Sequence, residues 1–262
     1  MEETTYAYLR RKLLDLVGMD LDYYKGKQMY RRLDAWLTRS NCSDWPEYYR
    51  RLEQDAAELK RFRDYLTINV SEFFRDPEKF AYLKTHILPQ MVSNCPMLNG
   101  WSAGSSYGAE AYSLAILMEE CFPGRRYRFL GTDIDRTILE RAKRADAYSQ
   151  EDVKHVPPNL LKKYFLFQEN RYQVSERIKA KVEFKLHDLL RDPVERGFDL
   201  ILCRNVVIYF TEEAKELLYR KFHQALKDGG ILFVGATEII SRAREIGFTH
   251  LANCFYRKET RR

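Results

Sequence analysis

Met97-Leu98-Asn99-Gly100-Trp101-Ser102-Ala103-Gly104-Ser105-Ser106-Tyr107-Gly108-Ala109-Glu110-Ala111-Tyr112-Ser113 decides how the rest of the chain is read. Leu98 to Ala103 is a short apolar run of strand length. The small residues that follow permit a tight loop and close backbone approach, and a helix is predicted at once, from Gly108 to Cys121. Strand, small-residue loop and helix in immediate succession open an α/β unit of the kind that cradles a nucleotide. The loop is neither GxGxxG nor a Walker loop, since no Lys-Ser/Thr follows.

Downstream the same grammar repeats. Further strands are predicted at Tyr127 to Asp133, Val182 to Leu186, Phe198 to Cys203, Gly230 to Gly235 and Phe255 to Arg257. Helices are predicted at Arg136 to Ala145 and Glu212 to Leu226. Such alternation implies a mostly parallel sheet covered on both faces, whose ligand sits at the carboxyl ends of the strands. The second strand ends Gly131-Thr132-Asp133-Ile134-Asp135, where one acid is suited to ribose hydroxyls and the other to capping the next helix. The third ends His187-Asp188-Leu189-Leu190, a carboxylate for an exocyclic amine beside leucines for a ring. The fourth ends Cys203-Arg204-Asn205-Val206-Val207-Ile208-Tyr209-Phe210, polar groups next to an aromatic. Residues 149–181, rich in charges and aromatics, read as an insertion on this sheet.

Upstream, residues 1–68 read as a small helical domain: Tyr6, Leu9, Leu13, Leu16 and Val17, then Leu33, Trp36 and Leu37, recur at helical spacing. Ser43-Asp44-Trp45-Pro46-Glu47 has the form of a helix start. Residues 69–96 form a connector with a helix from Glu78 to about Val92, and 97–262 the main domain. Between Tyr23 and Arg51 lie Lys25, Lys27, Arg31, Arg32, Arg39, Arg50 and Arg51, opposed by Asp34, Asp44 and Glu47. The chain of 262 residues carries a net charge of +6, which suits a polyanion or an acidic protein partner. Five scattered cysteines without a CxxC pair read as reduced thiols of a cytoplasmic protein, with no metal site. The start, Met-Glu-Glu-Thr-Thr, lacks the features of a signal peptide, and the longest apolar stretch, Leu200 to Phe210, is broken by Arg204 and Asn205. A soluble protein without membrane insertion is expected.

A small-residue loop with acids after the second and third strands is the pattern of a class I S-adenosylmethionine-dependent methyltransferase, a Rossmann-like fold. Four ordered motifs make the likeness specific. Thr67-Ile68-Asn69-Val70-Ser71-Glu72-Phe73-Phe74-Arg75-Asp76, Gly108-Ala109-Glu110-Ala111-Tyr112-Ser113, Asp133-Ile134-Asp135 and Cys203 to Phe210 resemble the motifs of the chemotaxis receptor glutamate O-methyltransferases of CheR type. The resemblance runs to about residue 257. It implies methyl transfer from S-adenosylmethionine to glutamates of the cytoplasmic helical region of methyl-accepting chemotaxis receptors, leaving S-adenosylhomocysteine. It further implies that Asn69, Ser71 and Arg75 meet the methionine end and methyl region of the cofactor. Glu110 would take its amino group, Asp133 the ribose, Asp188 and Leu189 the adenine side, and Arg204 and Asn205 the rest of the pocket. Arg75 and Tyr209 would be the catalytic pair, with Tyr209 close to the transferred methyl. The basic N-terminal domain, with Lys25, Lys27, Arg31 and Arg32, would dock the glutamate-rich receptor helix.

Two departures stand out. Ala111 replaces a proline common in the family, and Gln168-Glu169-Asn170-Arg171-Tyr172 lacks the glycine-containing turn of members that bind receptor tails, which weighs against a C-terminal receptor tether. A nucleic-acid substrate is disfavoured. No (D/N/S)PP(Y/F) motif follows the fourth strand, and the cysteine next to proline, Cys95, precedes the first strand.

Overall fold

The structure, a computed structural model, describes residues 3–67 and 69–260. Helical spacing of apolar residues gives four helices at the start: α1 (Glu3–Val17), α2 (Gly26–Arg39), α3 (Trp45–Gln54) and α4 (Ala56–Leu66). Their inward faces share one core, including Tyr6, Leu9, Leu13, Leu33, Trp45, Tyr48 and Phe62. The start of α3 is a reciprocal cap. Asp44 accepts the backbone N–H of Glu47 at 2.8 Å, and Glu47 accepts from the backbone N–H of Ser43 at 2.8 Å. A cap of this kind contributes about 1 kcal/mol.

The helical segment α5 (Pro77–Tyr82), a π-turn at Leu83–Ile87 and α6 (Leu88–Asn94) lead to β1 (Met97–Ala103), α7 (Ala109–Cys121), β2 (Arg126–Asp133) and α8 (Arg136–Arg144). Next come α9 (Pro158–Tyr164), β3 (Phe165–Gln168), β4 (Arg171–Val174), α10 (Glu176–Lys179), β5 (Val182–Leu186) and β6 (Phe198–Cys203). The chain ends with α11 (Glu212–Ala225), β7 (Leu226–Val234), α12 (Ala243–Ile246), β8 (Phe248–Ala252) and β9 (Phe255–Lys258).

The main sheet has the order β5-β2-β1-β6-β7-β9-β8, parallel from β5 to β7 and antiparallel at β9 and β8. This is the mostly parallel α/β sheet expected. The order reverses between β1 and β6, the switch point beside which sheets of this kind bind ligands at the carboxyl ends of their strands. Alternate residues of β1 face different partners. Trp101 donates its indole N–H to Thr132 Oγ1 at 2.9 Å and packs on Phe198 and Phe222. At Gly100 a Cβ would come within 2.6 Å of the Phe129 ring, so this position needs glycine.

The chain divides into two units, Met1–Ile68 with Ile208–Glu216, and Asn69–Val207 with Leu217–Arg262. The segment 69–96 belongs to the second unit, and 208–216 joins the first through the backbone. Lys25 N–H donates to Tyr209 O at 2.9 Å, and Thr211 N–H to Tyr23 O at 2.9 Å. The 149–181 insertion holds the β3–β4 hairpin, whose two-residue turn, Glu169-Asn170, is left-handed at both positions (φ 49° and 58°). Asparagine tolerates that conformation; glutamate adopts it at a cost. Strand β8 escapes prediction because Phe-Thr-His-Leu-Ala is short and gains its order by pairing with β9. β7 begins at Leu226 rather than Gly230, because its register shifts opposite Phe198/Leu200 and Gly229 (φ 76°) takes up the irregularity. Among the described residues no helix is long and apolar enough to cross a membrane.

Candidate active site

Tight loops shape the carboxyl ends of the strands. After β1 the backbone N–H groups of Gly104 and Ser105 both reach Thr132 O, at 2.9 and 2.8 Å, which pulls the loop over the end of β2. Gly104 has φ 77°, and a Cβ there would meet Val206 Cγ2 at 2.5 Å. The loop therefore closes against the segment following β6 only because residue 104 is glycine.

The two acids after β2 divide their work. Asp135, almost fully buried, caps α8 by accepting Thr137 N–H at 2.9 Å and Ile138 N–H at 3.2 Å. Asp133 accepts Ser106 N–H at 2.8 Å and Asp135 N–H at 3.0 Å. Burial pushes its carboxyl up to about 6, against the lowering effect of those backbone hydrogen bonds. Capping falls to Asp135, and Asp133 is left at the strand tip with acceptor capacity to spare.

The segment 69–76 is sewn onto these loops. Asn69 donates to Asp135 Oδ2 at 2.9 Å and accepts from Ser106 Oγ at 3.4 Å. Ser71 N–H donates to the Tyr107 hydroxyl at 3.2 Å, and Phe74 N–H to Ser113 Oγ at 2.9 Å. Phe73 N–H donates to Asp152 O at 2.9 Å, while its buried ring sits edge-on to Tyr148 and Phe165. Phe74 and Asp76 are left-handed, at φ 52° and 56°, so this turn is held by its partners and not by local preference.

Arg204 ties three segments together. Its side chain is 2% exposed, and it donates to Arg75 O at 3.0 Å, to Asp76 Oδ2 at 2.5 Å and to Glu110 Oε2 at 3.3 Å. Its guanidinium lies over the Phe233 ring, 4.6 Å from the centroid. Glu110 also accepts Ser102 Oγ at 2.7 Å. The sequence places Arg204 as a pocket-lining ligand; with these partners it acts as a clamp, because a buried guanidinium must direct its donors to nearby acceptors. Asn205 follows at φ 59°, its N–H held by Glu238 Oε2 at 3.2 Å. Asn205 Oδ1 and Ser105 Oγ are buried and meet no donor or acceptor among the described residues.

At the end of β5, Asp188 Oδ1 accepts Leu190 N–H at 2.9 Å and Arg191 N–H at 3.1 Å, and Leu189 is buried. Lys221 crosslinks this turn by donating to the carbonyls of Leu189, Leu190 and Asp192, at 3.1, 2.6 and 2.8 Å. Burial lowers the Lys221 pKa.

The remaining residues singled out from sequence differ in how they are used. The Arg75 guanidinium and the Tyr209 hydroxyl make no hydrogen bond or ion pair among the described residues; Tyr209, the last residue of the one-turn 3-10 helix Val207–Tyr209, belongs to the first unit. Lys25 Nζ donates to Ile208 O at 2.9 Å. Arg32 donates to Tyr65 O and lies over the Tyr65 ring at 4.7 Å. Those two cations, expected to dock a substrate, serve inside the helical unit, whereas Lys27 and Arg31 are exposed on one face of α2. Sequence reasoning missed Glu238, Asp76, Tyr107 and Asp152. Asp76 and Tyr107 lie within stretches already singled out but were given no role, and Glu238 had the signal of an acid just past a predicted strand.

Comparison with known proteins gives the family. The family model of the CheR methyltransferase all-alpha domain matches residues 4–67, and that of the CheR methyltransferase SAM binding domain matches residues 69–253. A chemotaxis protein methyltransferase from Listeria innocua is 37% identical over 257 residues, covering 98% of each chain. One from Salmonella typhimurium is 34% identical over 235 residues, covering 86% of this chain and 80% of its own. Among solved structures, a TehB-like SAM-dependent methyltransferase from Corynebacterium glutamicum is 16% identical, with a TM-score of 0.39 over 69% of this chain and 92% of its own.

Proposed function

The chain belongs to the CheR methyltransferase family, and from that membership we propose how its residues perform methyl transfer from S-adenosylmethionine to glutamate side chains of chemotaxis receptors, yielding the glutamate 5-O-methyl ester and S-adenosylhomocysteine. The reading rests on one observation. Segment 69–76 is bonded to each of the other three motifs: Arg204 joins Asp76 to Glu110, and Asn69 donates to Asp135.

The strand-end residues fit S-adenosylmethionine. A loop stripped of Cβ atoms at Gly104, a desolvated carboxylate at Asp133 and two buried polar atoms awaiting partners, Ser105 Oγ and Asn205 Oδ1, suit an adenosine with an amino-acid tail. In this proposal Asp133 accepts from the ribose, and Glu110 and Asn205 receive the amino-acid end. Asp188 and Leu189 flank the adenine. Asn69 and Ser71 hold the loop that covers the methyl region.

Bound S-adenosylmethionine supplies an electrophilic methyl on a sulfonium. A glutamate carboxylate, which ordinarily titrates at about 4.3, is already ionised at neutral pH, so no residue is assigned as general base. Its task is orientation and exclusion of water. Arg75, unpaired among the described residues, directs the incoming carboxylate, and Tyr209 keeps the catalytic role that the family motif implies for it. A firmer grip would favour the charged ground state over the transition state, in which charge is being neutralised. Lys27 and Arg31 attract the acidic receptor helix. The setting proposed is the cytoplasm, in keeping with five free thiols. Capture of a receptor tail is left out, since Glu169-Asn170 carries no glycine.

Labelled methyl transfer to receptor-containing membranes tests the reaction class. Label released as methanol by mild base is expected; base-stable label would overturn the ester assignment. Tyr209→Phe is expected to lower kcat while S-adenosylhomocysteine affinity holds, and full activity would remove Tyr209 from the mechanism.

A further inference from the structure

Past the end of β7 the chain runs Gly235-Ala236-Thr237-Glu238, and Glu238 turns back into the sheet end, only 6% exposed. One of its oxygens, Oε2, accepts two backbone N–H groups, that of Gly235 at 2.6 Å and that of Asn205 at 3.2 Å. The first closes its own loop. The second fixes a residue on the neighbouring strand end that is left-handed, at φ 59°.

Gly235 makes this possible. A Cβ there would lie 2.6 Å from Glu238 Oε2 and 3.0 Å from Asn205 N, so any larger residue displaces the carboxylate or the loop it holds. Val206, next in chain, closes on Gly104. The ends of β1, β6 and β7 thus interlock through two glycines and one carboxylate. Within that interlock Asn205 Oδ1 is buried with no donor among the described residues, an acceptor kept free for something absent from the chain itself.

We propose that Glu238 is a positioning residue for the cofactor site: its carboxylate holds Asn205 in the left-handed conformation that presents Oδ1 to a donor on the amino-acid end of the cofactor. The proposal rests on the methyltransferase reading above. An exposed glutamate on a loop would not serve, because the two N–H groups would then be left to water and the loop would be free to relax. Burial makes the contact count: a backbone N–H stripped of its partner inside a protein bears the desolvation cost with no water to replace the lost bond.

The test is equilibrium titration of the purified full chain with S-adenosylhomocysteine, with thermal unfolding recorded in parallel. Glu238→Ala is expected to weaken binding on the order of tenfold or more, from the loss of that hydrogen bond. Glu238→Gln keeps a carbonyl oxygen able to accept both N–H groups, and should bind within about threefold of wild type by the same reckoning. Gly235→Ala, which pushes the carboxylate aside without removing it, should fall between them. Binding unchanged in folded Glu238→Ala or Gly235→Ala overturns the proposal. So does Glu238→Gln binding as poorly as Glu238→Ala, which would make charge, and not the hydrogen bonds, the operative property. If neither Glu238→Ala nor Gly235→Ala folds, Glu238 is a requirement of the fold and the positioning role fails. Base-labile methyl transfer by the wild type is scored separately. Its absence would sink the methyltransferase reading, while the binding series still decides what Glu238 does.

Discussion

Arg204 and Arg31 are the same residue put to opposite uses. In the second unit Arg204 is walled in by aromatic rings, with its donors committed to Asp76, Glu110 and a backbone carbonyl. In the first unit Arg31 stands exposed on α2, one turn from Lys27, and neither has an ion pair among the described residues. Around Arg204 the dielectric is low and every partner is fixed, so its charge serves geometry. Around Arg31 water screens the charge and no partner holds it, so it acts at a distance, on whatever acidic surface approaches. The lesson is that a basic residue's place in the sequence says little about which of these it will be. Lys25 and Arg32, from the same run as Arg31, fall on the inward side of that division.

The comparison breaks most readily at Arg204. Arg204→Ala leaves Asp76 and Glu110 facing each other without their common cation, and about 3 kcal/mol of stability should go with it. Urea denaturation measures this. Arg204→Lys should recover less than half, because an ammonium cannot match the forked geometry. A stability loss below about 0.5 kcal/mol, the usual size for a surface change, would mean that Arg204 is no clamp.

A smaller effect is expected at Asp133, whose carboxyl sits near 6. Accepting from ribose hydroxyls favours the ionised form, so binding must expel a proton once the pH falls below that value. S-adenosylhomocysteine affinity should therefore weaken as pH drops through about 6, at a limiting slope of about tenfold per unit. Without cofactor the sign reverses. The raised pKa adds stability that is complete below the unfolded value of about 3.9 and lost as pH rises through the folded one. Asp133→Asn should flatten both profiles. A binding curve as steep in Asp133→Asn as in wild type would move the titration to another group.

The smallest change belongs to the exposed face. Charge reversal at Lys27 and Arg31 together should raise the KM for receptor several-fold at low salt, by a factor that shrinks as salt is added, and leave S-adenosylhomocysteine affinity alone. Arg32→Ala, by contrast, should lower stability first, since it removes the hydrogen bond to Tyr65 O and the stacking on that ring. Receptor kinetics indifferent to Lys27 and Arg31 would leave α2 an ordinary solvated surface.

Much of this molecule is legible in one dimension. Short apolar runs and helical spacing yield the main-sheet strands other than β8, and the longer helices, near their observed limits, and the acids after the second and third predicted strands mark the binding edge. Strand β8 escapes because its order comes from pairing with β9, which no window of sequence contains. The site is legible as a set of residues and opaque as a set of roles. Asp133 and Asp135 are near-neighbour acids, and only the helix that starts behind Asp135 reveals which one is the cap.

The amino-acid sequence alone determined the element types, their alternation, the small-residue loop at Gly104 and the family motifs, because propensity and periodicity act over a few residues. Tertiary structure decided the rest: that Arg204 clamps Asp76 across 128 positions, that Glu238 reaches Asn205 across 33, and that 208–216 packs with the helical unit. A side chain's partner depends on which distant segment is folded against it. A buried polar group must find such a partner or bear the full cost of desolvation.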